Sequence, residues 1–190
     1  MIKIGLTGSI ASGKTTASKI ISKRRGPLFS ADNVVKKLYT KKNFKKVVAK
    51  KLKLKLKSRS NFKRKIKNII FKKKGTLKKL EKIIHPMVRK EMLIFLRKNK
   101  NKKFLFLEIP LLIESRLTKY FDVMIFIKSK RNLRLKRFRL KKRNIKLFAL
   151  LDNYQLKDSK KMKLCDHIVV NNKSLTILKK NLLNIIKLYE

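Results

Sequence analysis

Apolar residues fall along this chain in two rhythms. Continuous apolar runs, the mark of strands buried on both faces, occur at Ile2-Lys3-Ile4-Gly5-Leu6-Thr7, Lys103-Phe104-Leu105-Phe106-Leu107-Glu108-Ile109, Val123-Met124-Ile125-Phe126-Ile127 and Ile168-Val169-Val170. Leu28-Phe29-Ser30, directly after the Gly26-Pro27 turn, reads as a shorter one. Helical spacing fills the gaps. Thr15 to Ile21 continues as a helix, and Asp32 is placed to cap another through Val34, Val35 and Leu38. Leu77, Leu80, Ile83 and Ile84 share a face over Thr76–Ile84, where His85-Pro86 predicts an interruption. A second helix then runs from Met87 to about Lys98 with Val88, Met92, Phe95 and Leu96 on one side. The basic segment Lys130–Arg143 reads as helical, and Ser174–Leu188 as a closing amphipathic helix. Strands alternating with helices at this spacing predict an α/β fold with a parallel sheet covered on both sides. There is no internal repeat.

One region does not yield to this reading. From Thr40 to Lys74 the chain is dense in lysine, and Lys51-Leu52-Lys53-Leu54-Lys55-Leu56-Lys57 alternates with a period of two. Taken alone, the alternation argues for a strand, whereas its flanks have helical spacing.

The junction between the first strand and the first helix carries the chemistry. Gly8-Ser9-Ile10-Ala11-Ser12-Gly13-Lys14-Thr15 fits the G-x-x-x-x-G-K-[ST] phosphate-binding loop. A strand feeding a glycine loop that opens a helix aims backbone N–H groups and the helix N-terminus at an anion. Gly8, Ala11, Ser12, Gly13, Lys14, Thr15 and Thr16 are therefore the candidate nucleotide-binding residues. Lys14 supplies a point charge for the β and γ phosphates of ATP, and the Thr15 hydroxyl is a candidate Mg²⁺ ligand. Of only five glycines in the chain, three (Gly5, Gly8 and Gly13) lie in this stretch.

Composition narrows the partners. The 190 residues suit one compact domain, and 43% apolar content supports a core. No apolar run approaches the roughly 18 residues of a membrane span. The start of the chain goes straight into a strand, leaving no room for a signal peptide. The single Cys165 excludes an internal disulfide framework and fits a reducing cytoplasm. The charge is extreme: 56 Lys+Arg against 10 Asp+Glu, a formal +46. These cations run through every segment and form no single patch. The bias toward Lys, Ile, Asn and Phe fits an AT-rich coding sequence, so weak nonspecific attraction to polyanions is expected and dedicated nucleic-acid binding is not.

The sequence also separates the classes of phosphate-loop protein. Asn99-Lys100-Asn101-Lys102 lacks the acid of a guanine-reading motif, and no D-x-x-G follows Glu108. A small-molecule kinase needs an acceptor-side carboxylate, cations around the transferred phosphoryl group, and a lid that excludes water. Asp32, after the second strand, can supply the first, and Lys130–Arg143 a cationic lid.

The residues from Gly5 to Thr16 resemble the N-terminus of dephospho-CoA kinases, and the likeness runs the length of the chain. Ser30-Ala31-Asp32 resembles that family's D-A-D. Leu80, Ile83, His85, Pro86 and Arg89 resemble its L-x-x-I-x-H-P-x-x-R, and Glu108-Ile109-Pro110-Leu111-Leu112-Ile113-Glu114 resembles D-V-P-L-L-F-E. Gln155, Lys161 and Asp166 keep the spacing of Q-x-P-x-x-x-K-x-x-x-A-D, and Asn171-Asn172-Lys173-Ser174-Leu175 resembles N-N-G-S-L.

The resemblance implies transfer of the ATP γ-phosphoryl group to the ribose 3′-hydroxyl of dephospho-CoA. The implied fold is a three-layer P-loop NTPase core with a parallel sheet, plus a helical substrate-binding insertion and a lid. The core would take residues 1–39, 100–128 and 164–190, the insertion 40–99 and the lid 129–163. Carried over by position, Asp32 would be the general base, with Lys14 and the lid arginine Arg137 beside it in catalysis, Arg134 and Arg139 being the alternatives to Arg137. Asp32, His85, Arg89 and Glu114 would serve the acceptor. The departures are equally specific. Ser9 and Ala11 stand where the family has glycine, so the backbone there must avoid positive φ or accept strain. Ser30 replaces an acid, Glu108 an aspartate, Lys141 the second lid arginine (with Arg143 as a nearby substitute), and Leu151 a further arginine. These changes point to a weakened enzyme more than to a different one.

Overall fold

A computed structural model describes residues 1–54, 61–141 and 144–190. In chain order its elements are β1 (Ile2–Gly8), α1 (Lys14–Ser22), β2 (Leu28–Ser30), α2 (Ala31–Leu38), α3 (Lys42–Leu52), α4 (Phe62–Lys72) and α5 (Thr76–Lys98). They continue with β3 (Phe104–Glu108), β4 (Val123–Lys128), α6 (Arg131–Leu140), α7 (Ile145–Tyr154), α8 (Asp158–Met162), β5 (His167–Val170) and α9 (Leu175–Lys187). The chain divides into two units, residues 1–30 with 96–190, and residues 31–95.

The first unit holds the sheet. All five strands predicted from apolar runs are present, paired in parallel in the order β2-β3-β1-β4-β5. Alternate residues of these strands build one core face, as a period of two requires. Ile4, Leu6, Phe104, Phe106, Val123, Ile125, Ile127 and Val169 meet Ala17 and Ile21 of α1 and Leu178, Leu182 and Ile186 of α9. Each of these apart from Ala17 contributes roughly 1.5–3 kcal/mol by burial. On the opposite face Leu112 and Phe121 press on β1 so closely that a Cβ at Gly5 would lie 2.8 Å from each. Connections from β1 and β3 depart in opposite directions along the sheet. The crevice beyond their carboxyl ends is therefore the switch point at which open α/β sheets bind ligands.

Helices α6 and α7 join through Phe138 and Phe148, edge to face at 5.4 Å. The Arg131 and Arg134 guanidinium groups lie 5.6 and 5.7 Å from the Phe148 ring centroid. The Asn144 side chain caps α7 by accepting the Lys146 N–H at 2.8 Å. The strand beginning at His167 also carries an interaction of its own, between His167 Nε2 and the Tyr189 hydroxyl at 2.6 Å.

The second unit is helical and has its own core of Leu38, Phe44, Val48, Phe62, Ile66 and Leu80, with Tyr39 packed on Phe44 and Phe62. Three expectations change here. Asp32 does not precede its helix: α2 begins at Ala31 and Asp32 sits in the first turn, still where a carboxylate complements the helix dipole. The Lys-Leu alternation does not start a strand, because Lys51 and Leu52 close α3, which ends at a left-handed Lys53, φ 52°. Leu52 and Leu54 pack on the same core, and Lys55, Leu56 and Lys57 lie outside the described residues. Nor do His85 and Pro86 interrupt: α5 is one helix with Pro86 inside it. A helix-interior proline costs about 3 kcal/mol. Leu80, Ile83, Ile84 and Met87 bury apolar surface on both sides of it and offset that cost.

Candidate active site

β1 ends on Gly8 and α1 begins on Lys14, so the phosphate-binding loop spans the switch-point end of the central strand. Both framing glycines have backbone that a side chain would disturb. Gly13 has φ 102°, and a Cβ on it would meet Asn171 Nδ2 at 2.1 Å. Gly8 has φ 146°, and its Cβ would meet the Ile127 carbonyl at 2.5 Å. Ala11 has φ 58°, so of the two departures from glycine this one takes the strained, left-handed backbone, while Ser9 does not.

Lys14 is buried, and its Nζ donates to the carbonyls of Gly8 at 2.9 Å and Ser9 at 2.8 Å, which brings the charge over the loop. The exposed Thr15 donates its hydroxyl to Glu108 Oε1 at 2.5 Å. Glu108 ends β3, is 1% exposed, and lies in register with both Leu6 of β1 and Ser30 of β2. Its second oxygen is 3.5 Å from the Ser18 hydroxyl. Thr16 is exposed on the first turn of α1, and Ser12 is buried, its hydroxyl without a hydrogen-bond partner among the described residues.

α6 delivers two arginines to the loop, and they differ in what they hold. Arg134 is buried, with its NH1 2.5 Å from Asp152 Oδ1 and its Nε bonded to the Ser129 carbonyl at 3.2 Å. Among the described residues Arg137 donates only to neutral acceptors: Ser129 Oγ at 3.1 Å, the Asn171 carbonyl at 3.0 Å and the Ser12 carbonyl at 3.4 Å. Its charge thus remains available to an anion at the loop, and that of Arg134 is already matched by a carboxylate. Arg139 is exposed, Lys141 caps the end of α6, and Arg143 lies outside the described residues.

Glu114 differs from a free acceptor-binding carboxylate. Its Oε1 lies 2.6 Å from Nζ of Lys161, a fully buried lysine on α8, and also accepts the Leu156 N–H at 3.2 Å. Its Oε2 is buried with no hydrogen-bond partner among the described residues. Cys165 stands nearby as a half-buried thiol. Burial first, and then the Asp166 carboxylate, push its pKa up to about 11, against an opposing pull from Lys161.

In the helical unit Asp32 is exposed, with no hydrogen bond or ion pair among the described residues. Because α5 is uninterrupted, His85 and Arg89 fall at i and i+4 on one face, His85 half-buried and Arg89 exposed. An interruption at His85-Pro86 would have broken that alignment.

The loop has further partners for which no site role was expected, although Gln155 and Asn171 stand in the matched motifs. Gln155, Asp158 and Asn171 all hydrogen-bond residues of the phosphate loop. In a chain with ten acids, Asp152 and Asp158 carried a signal in their rarity alone.

A family model described as dephospho-CoA kinase matches residues 2–176. A dephospho-CoA kinase of Rickettsia typhi is 32% identical over 188 residues, covering 98% of this chain and 97% of the relative. Among solved structures, a dephospho-CoA kinase from Campylobacter jejuni superposes with a TM-score of 0.66 at 28% identity, covering 97% of this chain and 95% of that one. A shikimate kinase from Acinetobacter baumannii shares the fold at TM-score 0.59 and 15% identity, over 99% of this chain and 92% of the other.

Proposed function

This chain belongs to the dephospho-CoA kinase family, and we propose on that premise that it transfers the ATP γ-phosphoryl group to the ribose 3′-hydroxyl of dephospho-CoA, giving coenzyme A. One observation carries the proposal: a phosphate loop at the sheet's switch point, with Lys14 folded over it and the Thr15 hydroxyl on a buried carboxylate.

The loop's N–H groups and the N-terminus of α1 hold the β and γ phosphates, and Lys14 follows the charge that gathers there. Asp32 takes the proton of the 3′-hydroxyl as that oxygen bonds to the γ-phosphorus and the bond to the β–γ bridging oxygen breaks. ADP leaves with the bridging oxygen. Arg137 stabilises charge on the transferred group from the lid side, and Arg134, held by Asp152, orients α6. The donor set at Thr15 and Glu108, a hydroxyl beside a carboxylate, suits a hard cation completed by phosphate oxygens. Among the described residues no cluster of His, Cys, Asp or Glu would hold a metal unaided. Mg²⁺ bound at Thr15 and Glu108 would neutralise charge on the β and γ oxygens. We assign acceptor binding to residues 40–99, with His85 and Arg89, and the lid to residues 129–163. No helix among the described residues is long and apolar enough to cross a membrane, and the single free Cys165 supports placing the enzyme in a reducing cytoplasm.

The test is ATP consumption by the purified protein with dephospho-CoA, with nucleosides and nucleoside monophosphates as controls. Coenzyme A should form with dephospho-CoA alone. Faster turnover of a nucleoside or a monophosphate would overturn the assignment of the acceptor.

A further inference from the structure

The phosphate loop is gripped from outside by side chains that the phosphoryl transfer itself does not use. Gln155 Oε1 accepts the Ile10 N–H at 3.0 Å, and Asp158 accepts the Ser9 hydroxyl. Asn171 Nδ2 donates to the Ser12 carbonyl at 2.8 Å. The buried Arg134 also donates to the Ile10 carbonyl at 3.4 Å. The contacts bracket Ala11, whose φ of 58° is a conformation that a non-glycine residue keeps only where its surroundings over-determine it.

We propose that Gln155 and Asp158, at the junction of α7 and α8, are positioning residues that hold the phosphate loop in its ATP-accepting shape by keeping Ala11 left-handed. The proposal rests on the reading that this loop binds ATP. Released from the clasp, Ala11 gains by returning to negative φ, which turns the peptide planes on either side of it and re-aims the loop's N–H groups. Glycine at this position needs no such restraint. Ser9 completes the device, because a glycine there would offer Asp158 no hydroxyl. Electrostatics alone argues against a carboxylate beside a phosphate site, since it repels the nucleotide. The value of Asp158 therefore lies in the bond it accepts and not in its charge.

The two accounts predict opposite signs. ATP affinity is measured by calorimetry on the full chain, alongside turnover with dephospho-CoA. Asp158→Ala and Gln155→Ala should each weaken ATP binding about five- to tenfold, with kcat at saturating ATP within about twofold of the parent. Asp158→Asn, which keeps an acceptor for Ser9, should bind ATP almost as the parent does. Adding Ala11→Gly to either alanine variant should recover most of the lost affinity, a rescue that a merely structural role for α8 would not produce. Unchanged or tighter ATP binding by Asp158→Ala overturns the proposal, as does failure of Ala11→Gly to rescue. If Asp158→Ala fails to fold, Ser9→Gly removes the same bond with α8 intact and must weaken ATP binding in the same way. A parent protein that binds ATP but leaves dephospho-CoA untouched would count against the acceptor assignment alone.

Discussion

The carboxylates of the two units are used differently. In the sheet unit each one is committed to a contact. Asp122 pairs with Lys3, Asp152 with Arg131 and Arg134, Glu114 with Lys161, and Glu190 with Arg25. Glu108, Asp158 and Asp166 accept from hydroxyl or backbone donors. In the helical unit Asp32 and Glu91 are exposed and hold nothing among the described residues, whereas Glu81 has a partner. In a chain of formal charge +46 an idle acid is conspicuous, since cations abound and the sheet unit leaves none of its acids without a partner. A buried carboxylate that holds a buried cation works for the fold, while a group left open can work on a substrate. The pairing of Glu114 with Lys161 supports a role in stability, and the open carboxylate of Asp32 fits the role proposed for it.

Lys14→Ala should have the largest effect, lowering phosphoryl transfer about 10³-fold or more, because Lys14 is the cation held over the loop. Undiminished transfer in that variant would remove the loop from the mechanism. Asp32→Asn should lower kcat about 10²- to 10⁴-fold and leave ATP affinity within about twofold. With only its interaction with the helix dipole to lose, the same variant should also unfold within about 1 kcal/mol of the parent. Near-normal turnover would end the assignment of Asp32 as the base.

Glu114→Ala should do the reverse. It strands Lys161, whose side chain is 0% exposed, and should cost about 3–5 kcal/mol in urea unfolding. A stable Glu114→Ala protein with a raised KM for dephospho-CoA would instead restore this residue to the acceptor side. The smallest effect concerns Cys165. A thiol pushed up to about 11 keeps its proton at neutral pH, so alkylation should be slow at pH 8 and accelerate as pH climbs toward that value. Unfolding in urea returns the thiol to its ordinary range, near 8.5, and should make labelling fast at pH 8. Equal rates in the folded and unfolded chain would show that Asp166 and burial do not control it.

Much of the core could be read directly because its signals are local. Phe104 to Glu108 is apolar at every position before its acid, and it is buried at every position in the sheet. The phosphate loop was legible for a similar reason, since Gly8, Gly13 and Lys14 act through backbone and charge within a few residues of one another. The helical unit was harder. Propensity predicted a break at Pro86, and burial of Ile83, Ile84 and Met87 overrode it. Helices α7 and α8 had no strong periodic signal and passed unseen within an expected lid.

The sequence by itself determined the strand set, the parallel α/β class, the loop that grips phosphate, and the isolation of Asp32 among cations. Each follows from residue type and near-neighbour spacing, which need no knowledge of what lies across the fold. Only the tertiary structure decided who holds that loop. Gln155, Asp158 and Asn171 reach it from 145, 149 and 159 residues away. Contacts at that separation are set by strand order and helix packing, and these leave no periodic trace in the chain. The same folding gave Glu114 to Lys161, left Arg137 without a carboxylate among the described residues while Arg134 gained one, and forced Ala11 into a backbone that its side chain disfavours.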